Sequence, residues 1–198
     1  MTAGCREARD NLLCRRDKEN PGVNFSLRNV LTSEQLDMLN VGTLDVGFLR
    51  MPVADTPYLE VTPIHSEPLV VGVPANHPLA AAKAITLKQL VGQQFLMYER
   101  TFAPGFHDFV AGILSRAGVV PDVVQTAGEM PTLVSLVDSG LGIALLPKSA
   151  LGRKPAGVKV CSIKDRIPPS QIALASAKRV SAFVIREFVA FTTSLLCK

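Results

Sequence analysis

Two hydroxyl side chains and one arginine occur where a protein chain can bind an anion. Thr32 and Ser33 stand at the start of a predicted helix, and Gln35 follows three residues after Thr32, as a capping box requires. Arg50 follows a short apolar run, residues 44–49, and is expected at the carboxyl end of a buried strand. Because helix-start amides and a planar guanidinium both match a carboxylate, this segment could bind a small anionic ligand. A plain helix cap and a salt bridge of Arg50 are the alternatives.

A second group of candidate ligand-binding side chains lies in two corners where a predicted strand meets a predicted helix. The first corner offers helix-start amides and apolar walls. Its candidates are Thr101, Phe102, Pro104 and Phe106. For two of these, the alternatives are helix initiation by Pro104 and core packing by Phe106. The second corner brings Glu129 and Met130. Glu129 would repel an anion unless it points away or accepts a hydrogen bond from a donor on the ligand.

The histidines, cysteines and known catalytic motifs, which usually indicate catalysis or metal binding, give little sign of either in this sequence. The three histidines, His65, His77 and His107, lie apart, and His77 occurs in an Asn-His-Pro turn where a structural role is expected. The sequence contains no nucleophile elbow, phosphate-binding glycine loop or zinc-protease motif. Its four cysteines form no Cys-x-x-Cys pair, so neither a metal site nor a cofactor is expected. These observations argue against an enzyme.

Strand-like and helix-like segments alternate along the chain, which predicts an α/β fold with a mostly parallel sheet. Strands are predicted at residues 24–27, 44–49, 69–73, 94–97, 142–146, 158–162 and 172–175. Helices are predicted at residues 6–18, 33–41, 87–91, 106–117, 130–139 and 182–196. Leu36 and Leu39 mark the apolar face of the second helix, and Gly42 is expected to end it. The arrangement would place the start of this helix and Arg50 at the carboxyl edge of a sheet, where open α/β sheets bind ligands.

The composition is that of a folded protein with one large domain or two small lobes. The chain has 198 residues, of which 47% are hydrophobic, and its formal net charge is +4. Because the basic residues are scattered, with Arg15, Arg16 and Lys18 as the one dense group, nucleic-acid binding is only weakly indicated. No apolar stretch has the length of a membrane span and no signal peptide is recognisable. No membrane association and a cytoplasmic location are therefore expected.

Four segments, in order along the chain, resemble one protein family. They are Thr-Ser-Glu-Gln-Leu with the following Gly-x-Leu-Asp-Val-Gly-Phe-x-Arg (32–50), a strand with a His-Pro-Leu turn (69–80), a strand, loop and helix (98–118), and Gly-x-Gly-Ile-x-Leu-x-Pro (140–147). Together they cover nearly the whole chain from about Leu12 onward. On these motifs the chain resembles the effector-binding, or substrate-binding, domain of LysR-type transcriptional regulators.

The resemblance implies a two-lobed fold like that of type 2 periplasmic binding proteins, with two mostly parallel sheets flanked by helices and a cleft between the lobes. Lobe I would comprise residues 1–70 and 171–198, apparently without its first strand, and lobe II residues 71–170. Such a domain is a regulatory module and not an enzyme.

The resemblance also assigns roles to candidate site residues. In the family, positions matching Thr32 and Ser33 contact effector carboxylates, and positions matching Pro104 and Phe106 line the cleft. A small organic acid, either aromatic or derived from aromatic breakdown, is therefore the expected effector.

Further partners follow from the same resemblance. Family domains pair side by side, so a homodimer or tetramer is expected, with the predicted first helix near Cys14 and the helix at 106–117 as candidate surfaces. DNA would be bound through a helix-turn-helix domain that is not present in this sequence. A stand-alone solute-binding protein of the same fold is the alternative function.

Overall fold

A computed structural model of the chain describes residues 26–152, 155–179 and 183–196. The α-helices in these ranges are α1 (Thr32–Val41), α2 (Pro104–Arg116), α3 (Met130–Asp138) and α4 (Phe183–Leu196). The strands are β1 (Val46–Arg50), β2 (Leu59–Glu67), β3 (Leu69–Pro74), β4 (Ala84–Ile85), β5 (Gln94–Tyr98), β6 (Asp122–Ala127), β7 (Ala144–Pro147), β8 (Val158–Ile163) and β9 (Ser170–Ala177). Short 3-10 helices span Pro78–Ala81, Leu87–Leu90 and Lys148–Leu151. Within the described residues, none of the helices has the length and apolarity needed to cross a bilayer.

The described chain divides into two compact units. Residues 67–170 form the continuous unit, and residues 26–66 together with 171–196 form the discontinuous unit. The chain therefore enters the continuous unit after Ser66 and leaves it after Ser170.

The discontinuous unit contains a three-stranded sheet in the order β1-β9-β2 and helix α1, which packs against β1. Strand β1 runs antiparallel to β9, with Val46 opposite Ser176. In this unit, one buried hydrophobic cluster consists of Leu39, Leu49, Leu59, Ala175 and Ala177. Helix α1 contributes Leu39 to this core, and Leu36 packs against it half-buried, so the predicted apolar face of α1 is confirmed.

The continuous unit has a larger core. Its main sheet has the strand order β4-β8-β3-β7, and β5 pairs with β6 in a second, two-stranded sheet. Strand β3 is buried along its whole length, as a central strand covered on both faces would be. Helices α2 and α3 each turn one apolar face inwards, which buries Phe106, Val110, Ile113 and Leu114 of α2 and Met130, Leu133, Val134 and Val137 of α3.

The predicted α/β class is confirmed, but the strand directions differ from the expected mostly parallel pairing. β4 and β8 are parallel, as are β5 and β6. In contrast, β3 is antiparallel to both β7 and β8, and β9 is antiparallel to β1. The antiparallel strands β3 and β9 begin close to the points where the chain passes between the two units. A strand that is reached directly, and not through a βαβ crossover, has no need to run parallel to its neighbours.

Several boundaries and element types also differ from prediction. Residues 87–91, predicted as a helix, form one 3-10 turn, Leu87–Leu90. Ser26 and Leu27, the described part of the strand predicted at 24–27, have no strand structure. Strands β2 and β6 were not predicted, because polar residues and a proline interrupt the apolar pattern of the first and the second is largely exposed. The helix predicted at 6–18 and the expected absence of a first strand fall outside the described residues.

Candidate functional site

Helix α1 begins one residue earlier than the predicted capping box requires. Leu31 occupies the N-cap position in an extended conformation and makes no side-chain capping bond, so Thr32 is the first helical residue. The capping-box prediction is therefore wrong: Gln35 does not reach back to the cap, and its Nε2 instead donates to the carbonyl oxygen of Val30 at 3.1 Å. Thr32 and Ser33 lie half-buried in the first turn, where backbone amides of a helix point towards its start.

A turn at the end of α1 reverses the direction of the chain, so that β1 runs back along the helix. Gly42 adopts a left-handed conformation with φ of 82°, and its amide donates to the carbonyl of Met38, so its predicted role as a helix stop is confirmed. A β-carbon added at Gly47 would lie 2.9 Å from Gln35 Oε1, which shows that the beginning of β1 already lies against the first turns of α1. A ten-residue helix and a five-residue strand are both about 15 Å long. The half-buried Arg50, at the end of β1, therefore lies towards the end of the unit where α1 begins.

In the continuous unit, the corner between β5 and α2 contains four predicted site residues. Pro104 is the first residue of α2, where its fixed φ suits helix initiation. Phe106 is only 2% exposed, and its ring meets that of Tyr98 edge-on with centroids 6.1 Å apart. Thr101 and Phe102 are exposed, Phe102 to 39%. Thr101, Phe102 and the exposed Pro104 can thus meet a ligand, whereas Phe106 lies in the core.

This corner is fixed to α2 by two polar contacts. Arg100 donates from Nε and Nη2 to the two carboxylate oxygens of Asp108, at 2.8 and 2.9 Å. The hydrogen bonds from Arg100 hold the pKa of Asp108 below its ordinary value, and Asp108 in turn raises the pKa of Arg100. His107 Nδ1 lies 2.7 Å from the carbonyl oxygen of Tyr98, which assigns the Nδ1 proton to this bond. These contacts tie the residues after β5 to the first turns of α2.

Glu99, which the sequence analysis did not single out, lies at the centre of this corner. Its Oε2 accepts a hydrogen bond of 2.6 Å from Thr126 Oγ1, at the end of β6. Its Oε1 accepts longer bonds from the backbone amide and the hydroxyl of Thr101, at 3.4 and 3.3 Å. These bonds, with that from Thr126 the strongest, lower the pKa of Glu99. Glu99 is half-buried and charged at neutral pH.

The corner between β6 and α3 packs against the same loop. A β-carbon at Gly128 would lie 2.6 Å from Cδ2 of Phe102. The ring of Phe102 therefore packs on Gly128, in space that a side chain at this position would occupy. Glu129, the N-cap of α3, is exposed and makes no side-chain capping bond. Met130 is 4% exposed and belongs to the core. The structure therefore brings Thr101, Phe102 and Glu99 together beside Glu129, and takes Met130 away from the surface.

His77 and Cys161 have structural surroundings. His77 Nδ1 accepts from the amide of Leu79 and caps the first 3-10 helix, while His77 Nε2 lies 3.0 Å from Gln93 Oε1. Burial raises the pKa of the Cys161 thiol, which disfavours a reactive thiolate. Within the ranges that the structure describes, no group of three or more metal-ligating side chains comes together.

Comparison with known proteins identifies the domain. The family model of the LysR substrate binding domain matches residues 11–196. The transcriptional regulator CatR of Pseudomonas putida is 30% identical over 166 residues, which cover 84% of this chain and 57% of CatR. The hca operon transcriptional activator HcaR of Escherichia coli K12 is 29% identical over 176 residues, which cover 89% of this chain and 59% of HcaR. The chain spans about half the length of the curated relatives it matches.

Solved structures give the same fold. The effector-binding domain of QuiR in complex with shikimate matches with a TM-score of 0.85 at 24% identity, over 98% of this chain and 90% of QuiR's. The BenM effector-binding domain with its effector benzoate matches with a TM-score of 0.81 at 24% identity, over 95% of this chain and 85% of BenM's. The predicted two-lobed, periplasmic-binding-protein-like class is thereby confirmed. This chain belongs to the LysR substrate-binding domain family, whose members are effector-binding domains of transcriptional regulators and not enzymes.

Proposed function

We propose that this domain is the sensory part of a LysR-type DNA-binding transcription factor and binds a small carboxylate metabolite in the cleft that the family fold implies. The observation that carries the proposal is that Thr32 and Ser33 lie half-buried in the first turn of α1, with Arg50 towards the same end of the unit. Helix-start amides, hydroxyls and a guanidinium are the groups that proteins use to bind carboxylates.

The chemistry of two structural relatives supports a carboxylate. QuiR is bound to shikimate and BenM to benzoate, and both compounds are small organic acids. In the continuous unit, Thr101, Phe102 and Pro104 supply an exposed surface with apolar and hydroxyl groups for the body of such a molecule. Binding would favour one conformation of the regulator over another by the difference in its affinity for the two.

The proposed partners follow from the family. The domain would act in a homodimer or tetramer in the cytoplasm, and would reach DNA through a separate helix-turn-helix domain. The matched region covers 57% of the regulator CatR and 59% of the activator HcaR, so both extend well beyond it.

The experiment is calorimetric titration of a panel of carboxylates against the wild type and the double variant Thr32→Val with Ser33→Ala. A hydrogen bond to a charged carboxylate contributes about 1.5–3 kcal/mol, so affinity should fall roughly ten- to a hundredfold. Far-ultraviolet circular dichroism of both proteins tests whether the fold is retained.

The matched control is Thr43→Val, which removes an exposed hydroxyl just beyond the opposite end of α1. Its affinity for the same acid should equal that of the wild type. If the double variant binds an acid as tightly as the wild type does, the assignment of the carboxylate to the start of α1 is wrong.

A further inference from the structure

The corner around Glu99 has one chemical character: it accepts hydrogen bonds. The hydroxyl protons of Thr126 and Thr101 are both directed at the Glu99 carboxylate. A threonine whose proton is committed in this way offers a ligand the lone pairs of its oxygen. The carboxylate itself has four lone-pair positions, so it can accept a further bond on Oε2 beside the one from Thr126.

The charges around this corner also favour a ligand group that donates hydrogen bonds. Glu99 is ionised at neutral pH, and Glu129 lies exposed at the start of α3, next to the glycine on which Phe102 packs. Arg100, the cation that follows Glu99, is held in a bidentate pair with Asp108. A ligand carboxylate would therefore be repelled here, while a hydroxyl or ammonium group would be attracted.

Resting on the carboxylate-effector function proposed above, we propose that Glu99 is a specificity-determining residue that selects effectors carrying a hydroxyl or ammonium donor in addition to their carboxylate. A plain aromatic acid would leave the Glu99 carboxylate desolvated and without a new partner. A site built to hydrogen-bond a donor rejects the analogue that lacks it far more strongly than an apolar pocket distinguishes two apolar groups.

A simpler role for Glu99 makes a different prediction. If it serves to hold the loop in place through Thr101 and Thr126, its replacement weakens the binding of every acid by a similar factor. If it selects a donor, its replacement changes the ratio between acids that carry a donor and those that do not. The ratio, and not the affinity, is therefore the informative quantity.

The test is calorimetric titration with three pairs of acids that share a carbon frame: shikimate and cyclohex-1-ene-1-carboxylate, 3-hydroxybenzoate and benzoate, and 4-(aminomethyl)benzoate and 4-methylbenzoate. The proteins are the wild type, Glu99→Gln, and the control Asp122→Asn. Gln keeps an oxygen that can accept from Thr126 but loses the charge. Asp122 is exposed at the far end of β6, so its replacement removes one negative charge from the strand that carries Thr126 without reaching the corner.

The wild type should bind the donor-bearing member of at least one pair about tenfold more tightly or better. Glu99→Gln should reduce that ratio to within about threefold, and Asp122→Asn should leave it unchanged. If acids bind without preference for a donor, or if Glu99→Gln weakens all of them equally, the specificity role is wrong while the carboxylate function stands. If none of the six acids binds the wild type at millimolar concentration, both proposals fail.

Discussion

Replacing Gly142 with alanine should destabilise the continuous unit, because the new methyl group has no room. Gly142 is buried just before β7, and a β-carbon there would lie 2.7 Å from the carbonyl oxygen of Gln94. That oxygen cannot turn away, since it accepts the amide of Ile143 at 2.9 Å. The amide of Leu96 in turn donates to the carbonyl of Ile143 at 2.8 Å, so both backbone groups of Ile143, the residue after Gly142, are bonded to β5.

The size of the effect follows from these distances. To bring the methyl group to ordinary contact with Gln94 at 3.4 Å, the strands must separate by about 0.7 Å, which lengthens both hydrogen bonds beyond their useful range. Overpacking costs about 1–3 kcal/mol, and each weakened backbone bond adds roughly 0.5–1.5 kcal/mol. The free energy of unfolding should therefore fall by about 2–6 kcal/mol, and Tm by roughly 4–24 °C.

Urea denaturation followed by circular dichroism measures this loss, with Gly112→Ala as the matched control. Gly112 lies inside α2, and a β-carbon there would meet the flexible end of Arg116 at 3.4 Å. Alanine restricts the unfolded chain and suits a helix, so this variant should be about 0.4–1 kcal/mol more stable than the wild type. A Gly142→Ala protein whose unfolding midpoint equals or exceeds that of the wild type would refute the close-approach argument.

Two further variants probe the core and the ion pair of the continuous unit. Leu114→Ala, at a fully buried site in α2, should lower the free energy of unfolding by about 2–5 kcal/mol, whereas Leu141→Ala, 42% exposed, should cost less than about 1 kcal/mol in the same urea assay. Since hydrogen bonds from Arg100 lower the pKa of Asp108, their stabilisation is complete above the carboxyl's ordinary pKa and is lost as pH falls through the lowered one. Asp108→Asn should thus be slightly less stable than the wild type at neutral pH, and the difference should shrink on acidification; a difference that grows at low pH would contradict this sign.

Local patterns were sufficient to predict the elements whose burial is periodic or continuous. Helix α1 shows its apolar face and its terminal glycine in the sequence, and β3 is an unbroken apolar run. The 140–147 motif is also physically understandable: Gly140 has a positive φ of 83°, and Gly142 lets β5 approach closely. Strand direction could not be predicted in this way, because it depends on where the chain crosses between units and not on the pattern within a strand.

The start of α1 shows a different limit of sequence reasoning. Thr32, Ser33 and Gln35 match the spacing of a capping box, yet the helix begins after Leu31, a residue that caps poorly. Gln35 is buried against β1 and donates to Val30, so tertiary packing decides its hydrogen bond. Thr32 and Ser33 do lie in the first turn of α1, but the capping box that their spacing predicts is not formed.

The Glu99 corner depends on an irregularity that no local pattern encodes. β5 and β6 pair in parallel, but the register shifts after Phe95, so that Leu96 lies opposite Gln125 and Met97 opposite Thr126. One residue of β6 is thereby left over, as in a β-bulge. Because side chains alternate between the faces of a strand, a shift of one residue exchanges the faces of all that follow. The bond between Thr126 and Glu99 thus depends on pairing between segments 27 residues apart. The lowered pKa of Glu99, of which this bond is the main cause, depends on the same pairing.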